Sequence, residues 1–130
     1  MLNHKDLEDY ILAKPSARLD YPFGKEVAVY KVGAPSINGE NRDKMFALIA
    51  EKSTPLRISL KCDPLLAQTL REKYESVLPG YHLNKKHWNT IICSGQLSKQ
   101  EIQELIDHSY GLVFESLSRE DKSNIANQTS

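Results

Sequence analysis

The chain has only two cysteines and no long apolar run among its 130 residues. Cys62 and Cys93 each end a strand-like run and have no nearby partner of the CxxC kind, so neither a zinc knuckle nor a redox pair is indicated. Buried, reduced thiols are expected. No segment approaches the roughly 18 apolar residues of a membrane span. The charged first residues do not resemble a secretory signal. The expected location is the cytoplasm, without membrane contact.

An excess of one charge is also lacking, because 17 basic residues balance 17 acidic ones. This balance argues against a strongly basic, histone-like binder. The order of the charges is nevertheless uneven. Residues 76–100 contain three lysines and no acid, whereas residues 101–121 contain six acids and one arginine. A local basic face, which is what phosphate contacts require, therefore remains open.

Recognisable catalytic motifs are absent from the sequence. Gly33 and Gly39 stand alone and form no glycine-rich phosphate loop. His82 and His87 are five positions apart, a spacing that suits neither one helical face nor one strand face for metal ligation. Residues 107–110 read Asp-His-Ser-Tyr, but consecutive helical positions point in different directions, so a structural role is expected. We expect no enzyme activity, no cofactor and no metal site.

The apolar pattern predicts an α+β fold. Helices are expected near Leu7, after Asp63 and after Ser98, where polar residues have the spacing of helix caps. Strands are expected at residues 27–32, 44–51, 56–62 and about 88–93. Short loops between consecutive strands imply an antiparallel sheet with the helices on one face, which is a two-layer sandwich. Residues 1–118 are expected to form a single domain, and residues 119–130 a disordered tail.

The strand at residues 56–62 alternates cleanly between apolar and polar positions. Positions 58, 60 and 62 are apolar, whereas Arg57, Ser59 and Lys61 occupy the positions between them. Side chains in a strand point alternately to the two faces of the sheet. The sequence therefore predicts one buried face and one hydrated, basic face.

Residues 81–90 form the densest mixture of basic, polar and aromatic side chains. Lysines and histidines can meet phosphate oxygens, an asparagine can pair with a base edge, and aromatic rings can stack on bases. The candidate nucleic-acid contacts are Lys61, Tyr81, His82, Asn84, Lys85, Lys86, His87 and Trp88. The alternatives are a core anchor for Trp88 and a solvated turn for the two lysines.

Three segments resemble the MmcQ/YjbR family. They are residues 61–64 (Lys-Cys-Asp-Pro), residues 79–90 (from Pro79 to Thr90) and residues 105–110 (Leu-Ile-Asp-His-Ser-Tyr). Phe23-Gly24 and residues 31–33 and 45–49 match earlier parts of the family pattern, and the resemblance covers about residues 3–117. The resemblance implies a CyaY-like (frataxin-like) fold and, for bacterial members, DNA binding through a double-wing surface. One departure is the loop at residues 33–43, which is longer than the tight hairpin of the family and alters the reach of any wing built there.

The frataxin likeness raises the question of iron. The first helix offers only Asp6, Glu8 and Asp9 as acids, too few for an acidic ridge that would hold metal. DNA is therefore the expected partner, bound by a monomer. The alternative function is a non-enzymatic protein-interaction or small-ligand-binding module that uses the same surface. Salt dependence would distinguish them, because counterion release makes DNA binding steeply sensitive to salt.

Overall fold

The computed structural model describes residues 2–34, 42–80 and 83–128. Of residue 128 it describes the backbone alone. Its six strands form one antiparallel sheet in the order β1-β2-β3-β4-β6-β5. The helices pack against one face of the sheet, so the predicted two-layer α+β sandwich is confirmed. The elements are α1 (His4–Leu12), β1 (Arg18–Asp20), β2 (Val27–Val32), β3 (Lys44–Ala50), β4 (Arg57–Lys61), α2 (Pro64–Lys73), β5 (Val77–Pro79), β6 (Trp88–Ile92), α3 (Lys99–Glu115) and α4 (Arg119–Gln128).

Three helices begin where the sequence predicts, because each has a side chain that caps its first amides. Asn3 accepts a hydrogen bond from the amide of Asp6 at 2.8 Å. Asp63 accepts from the amides of the second and third residues of α2, at 3.2 Å each. Ser98 and Glu101 form a complete capping box at α3. Such caps satisfy amides that no helical carbonyl can reach.

Apolar side chains gather in two clusters, one on each face of the sheet. The larger cluster lies between the sheet and the helices and includes the fully buried residues Tyr30, Phe46 and Ile106. The smaller cluster consists of Val29, Leu48 and Trp88 on the opposite face. The sheet is therefore apolar on both faces near its centre, although only one face is packed against helices.

Two strands are missing from the prediction. β1 (Arg18–Asp20) falls within the expected connection at residues 16–25, and β5 (Val77–Pro79) reaches the expected turn at Pro79. Both are three-residue edge strands, in which apolar and polar positions do not alternate often enough to be recognised. They exist because their backbones pair with β2 and β6.

The expected disordered tail is wrong, because α4 occupies residues 119–128. The Ser118 hydroxyl accepts a hydrogen bond from the amide of Asp121 at 3.1 Å and so caps this helix. Asp121 is only 4% exposed and receives a hydrogen bond from Arg42. Ile125 joins the larger core cluster. One apolar anchor and one ion pair to a buried carboxylate dock a helix whose composition alone resembles a disordered segment. None of the helices within the described ranges is long and apolar enough to cross a membrane.

One hydroxyl joins α3 to two strands. The pairing of β2 with β3 shifts by one residue, so that Phe46 has no partner across the ladder. The Ser109 hydroxyl donates to the Phe46 carbonyl at 2.6 Å and accepts from the Lys61 amide at 2.9 Å. Ser109 itself is fully buried. The hydroxyl therefore satisfies one backbone group at the bulge in β3 and another at the end of β4.

We expect Ser109→Ala to lower the free energy of unfolding by at least about 2 kcal/mol, because it leaves a carbonyl and an amide buried without partners. Chemical denaturation followed by circular dichroism would measure this. Ser94→Ala, at an exposed serine, is the control and should change stability by less than about 0.5 kcal/mol. A Ser109→Ala loss as small as the control's would contradict the bridging role.

Candidate nucleic-acid interface

The face of the sheet opposite the helices, here called the open face, is basic. Cross-strand partners share a face, so the register assigns Arg18 with Lys31, and Lys61 with Trp88, to this side. Arg57 shares it by alternation along β4. Asp20 is the one acid within the six described strands. The predicted basic character of this face is thus found in the structure.

The basic residues of the open face differ in whether an acid neutralises them. Lys31 pairs with Asp20 at 3.1 Å, and Arg18 pairs with Asp43 at 2.9 Å. Neither Arg57 nor Lys61 forms an ion pair with any acid in the part of the chain that the structure describes. The free positive charge of the face is therefore on β4.

The open face also carries an apolar cluster, which the alternation along β4 did not reveal. Trp88 is 7% exposed and packs with Val29 and Leu48, while Met45 and Leu83 partly cover the cluster. The core-anchor interpretation of Trp88 is thus the one that the structure supports. Its ring has little surface left on which a base could stack.

Backbone hydrogen bonds fix the turn at residues 83–88. Asn84 accepts from the amide of Lys86 through its side chain at 2.9 Å and from the amide of His87 through its carbonyl at 3.2 Å. The His87 carbonyl in turn accepts from the amide of Cys62 at 2.7 Å. Asn84 therefore shapes the turn in the way asparagine often does. Its expected contact with a base edge stays a prediction.

Arg71 of α2 holds the same turn from the helix side. Its Nε donates to Asn89 Oδ1 at 2.6 Å, and its guanidinium also donates to the carbonyls of Trp88 (3.1 Å) and Lys85. Asn89 in turn donates to the Ala67 carbonyl of α2 at 3.3 Å. The role of Arg71 could not be predicted from the sequence, because two of its acceptors are backbone carbonyls, which residue types do not reveal.

The two turn lysines are exposed. Lys85 Nζ donates to the Gly80 carbonyl at 3.3 Å, and neither Lys85 nor Lys86 pairs with an acid among the described residues. His87, adjacent to them, is half-buried. The structure thus brings Lys61 and residues 84–88 to one end of the sheet, whereas Tyr81 and His82 lie outside the described residues.

The Asp-His-Ser-Tyr run at residues 107–110 forms hydrogen bonds that join structural elements, and the sequence predicts such a structural role. Asp107 accepts from the Tyr10 hydroxyl at 2.7 Å, and this hydrogen bond is the main cause that raises the pKa of Tyr10 to about 12. His108 Nε2 accepts from the amide of Asp63 at 3.1 Å. The Tyr110 hydroxyl donates to a backbone carbonyl of the α1–β1 loop at 2.6 Å. The run therefore ties α3 to α1, to that loop and to the start of α2.

Both cysteines are free and buried, as expected. Burial raises the pKa of Cys62 and of Cys93 to about 11. A neighbouring carboxylate, Asp63, adds to the effect at Cys62. A raised pKa keeps a thiol protonated at neutral pH, where only the thiolate is a good nucleophile.

We expect iodoacetamide to alkylate both cysteines slowly in the folded protein at about pH 8, and faster as the pH rises toward their raised pKa. Mass spectrometry of the quenched reaction would give the rate at each site. In guanidinium chloride both should react rapidly, since the unfolded thiols regain a pKa of roughly 8.5. Rapid alkylation of one folded thiol near pH 7 would instead identify a reactive cysteine.

The amino-acid sequence is similar to a known protein family and to several bacterial proteins. The sequence profile of the YjbR family matches residues 12–112. The uncharacterized protein YbdF of Escherichia coli O157:H7 is 32% identical over 122 residues, which are 94% of this chain and 93% of that protein. The uncharacterized protein YjbR of Escherichia coli K12 is 34% identical over 105 residues, 81% of each chain. YyaQ of Bacillus subtilis, also uncharacterized, is 30% identical and covers 87% of this chain and 99% of its own.

Two solved structures also match this chain. The crystal structure of the Deinococcus radiodurans protein DR2400, a DUF419 domain, matches with a TM-score of 0.88 and 34% identity, covering 97% of this chain and 89% of that one. A Pseudomonas syringae protein matches with a TM-score of 0.67 and 34% identity, covering 86% of this chain and 99% of its own.

Proposed function

Since the chain belongs to the YjbR family and shares its fold with the solved structures above, we propose that it is a non-enzymatic DNA-binding protein. The contact surface is the end of the open face where β4 meets the turn at residues 83–88. Lys61, Lys85 and Lys86 contact phosphates there, and Arg57 extends the positive surface along β4.

The observation that carries this proposal is the gathering of basic side chains without acidic partners at one end of the sheet. Lys61 is the cross-strand partner of Trp88, and the turn lysines precede Trp88 by three and two residues. Arg71 and the backbone bonds of the turn hold its backbone in one place. Positioned cations of this kind fix a protein on the phosphate backbone.

The same geometry favours binding that does not depend on the DNA sequence. Trp88 is packed into the apolar cluster, and Asn84 Oδ1 is engaged within its own turn. Among the candidate contacts that the structure describes, these were the side chains best suited to stack on a base or to recognise its edge. Phosphate contacts carry affinity and salt dependence but no sequence information. We therefore expect similar affinity for unrelated duplexes.

The contacts of the histidine, serine and cysteine side chains that could act in catalysis also favour a binding function over an enzymatic one. His108 accepts a backbone hydrogen bond, and Ser109 is buried between two backbone groups. Burial keeps both thiols protonated. A nucleophile needs an adjacent base that is free to take its proton, and these contacts leave neither His108, nor Ser109, nor either thiol in that position.

We expect the double substitution Lys85→Glu/Lys86→Glu to weaken binding to every duplex about equally. It should also reduce the magnitude of the log-log salt slope by roughly two, because each lysine releases about one counterion. Fluorescence anisotropy with a panel of duplexes at about 50 and about 200 mM salt would measure both quantities. Stability should barely change, since exposed lysines contribute little to it.

The matched control is Lys5→Glu/Lys99→Glu, which changes the net charge equally at exposed lysines of α1 and α3. A general charge effect would weaken binding in both double variants alike, whereas the proposed interface predicts a large loss only for the turn variant. Equal losses, or no binding of the unaltered protein to any duplex at low salt, would refute the proposal.

A further inference from the structure

A hollow of about 680 Å³ opens on the open face beside the Val29-Leu48-Trp88 cluster. Phe23, from the loop after β1, and Leu83, from the turn before β6, line it together with Val27 and Leu48 of the sheet. Phe23 is 63% exposed. A concave surface lined mainly by apolar side chains is typical of small-ligand sites.

The polar groups of the hollow are few and specific. Arg57 is the one charged residue among the described residues that line it, and it has no ion pair with a described acid. Ser59 and Thr90 share a hydrogen bond of 2.8 Å across the β4–β6 pair, which satisfies one hydroxyl with the other. The lining is therefore apolar apart from one guanidinium and a few hydroxyls.

We propose that this hollow binds a small molecule that has an apolar body and a single carboxylate. Its volume is in the range of roughly 300–1,000 Å³ that accommodates small ligands. The apolar body would cover Phe23, Leu48 and Leu83, and the carboxylate would pair with Arg57. A guanidinium matches a carboxylate with two parallel hydrogen bonds.

The lining also indicates which anions are poorer ligands. A phosphate group carries more charge and more acceptor oxygens, and proteins usually bind it with several cations or with the amides at a helix N-terminus. Among the described lining residues only Arg57 is cationic, and the sheet and loop residues that surround it provide no helix N-terminus. One guanidinium in an apolar surrounding fits a monocarboxylate better.

Three probes with the same chain length and different head groups test the ligand class: octanoate, octan-1-ol and octylammonium. Trp88 is the only tryptophan of the chain and contacts the cluster that includes Leu48, so its fluorescence reports on the hollow. Amide shifts in a nitrogen-15 NMR titration would locate the site. We expect octanoate to bind most tightly, octylammonium most weakly, and shifts to centre on residues 48, 57 and 83.

Arg57→Gln should weaken octanoate binding by about tenfold, the effect of losing one charge-assisted contact, and leave octan-1-ol binding unchanged. Lys61→Gln is the matched control, because it removes a charge from the same strand face but outside the lining, and it should change neither. Ala50→Phe, which places a ring in the hollow, should weaken the binding of octanoate and of octan-1-ol. If the Ala50→Phe protein does not fold, Ser53→Phe serves the same purpose and keeps Trp88 as the single tryptophan.

The proposal is refuted if octanoate binds no better than octylammonium, if Arg57→Gln keeps the affinity for octanoate, or if the amide shifts centre away from the hollow. No binding of octanoate at millimolar concentration would refute it as well. A failure of octanoate binding would leave the DNA proposal untouched, because the two proposals are tested with different variants. The Lys85→Glu/Lys86→Glu protein retains all the described lining residues and should bind octanoate normally.

Discussion

The Ser109 hydroxyl is the contact on which most of this architecture depends. It donates to the carbonyl of Phe46 at the bulge of β3 and accepts from the amide at the end of β4. A bulge gives one strand an extra residue and leaves a backbone group without its ladder partner. Burying that group would be costly without a replacement. Ser109 supplies the replacement and thereby fixes where α3 lies on the sheet.

The bulge also determines what each face of the sheet presents. Because Phe46 is skipped in the pairing, Phe46 and Ala47 both join the core under the helices, while Met45 and Leu48 pack with the cluster on the open face. Without the extra residue, strict alternation would send the Phe46 ring to the open face. The irregularity that Ser109 stabilises thus keeps the Phe46 ring in the core and lets Met45 pack against the tryptophan cluster.

The sequence predicts those parts of the fold that depend on interactions between residues close together in the chain. The caps at Asn3, Asp63 and Ser98 and the alternation along β4 follow from hydrogen-bond chemistry and strand geometry within a few residues. Features that arise from distant pairs were missed. Arg71 reaches carbonyls of a turn that is remote in sequence, and α4 is held by an ion pair between Arg42 and Asp121. Composition cannot reveal such pairs, because each partner alone looks like an ordinary surface residue.

The candidate site shows the same division. Alternation correctly put Arg57 and Lys61 on a face away from the helices, but it could not reveal that Trp88, opposite Lys61, would pack into an apolar cluster on that face. The face therefore combines two chemistries: cations without acidic partners toward the turn, and an apolar hollow with a single guanidinium farther along β4. Arg57 belongs to both surfaces. A carboxylate paired with it would remove one positive charge from the surface offered to phosphates, so the two ligands would oppose each other, and by linkage each would lower the affinity of the other by the same factor.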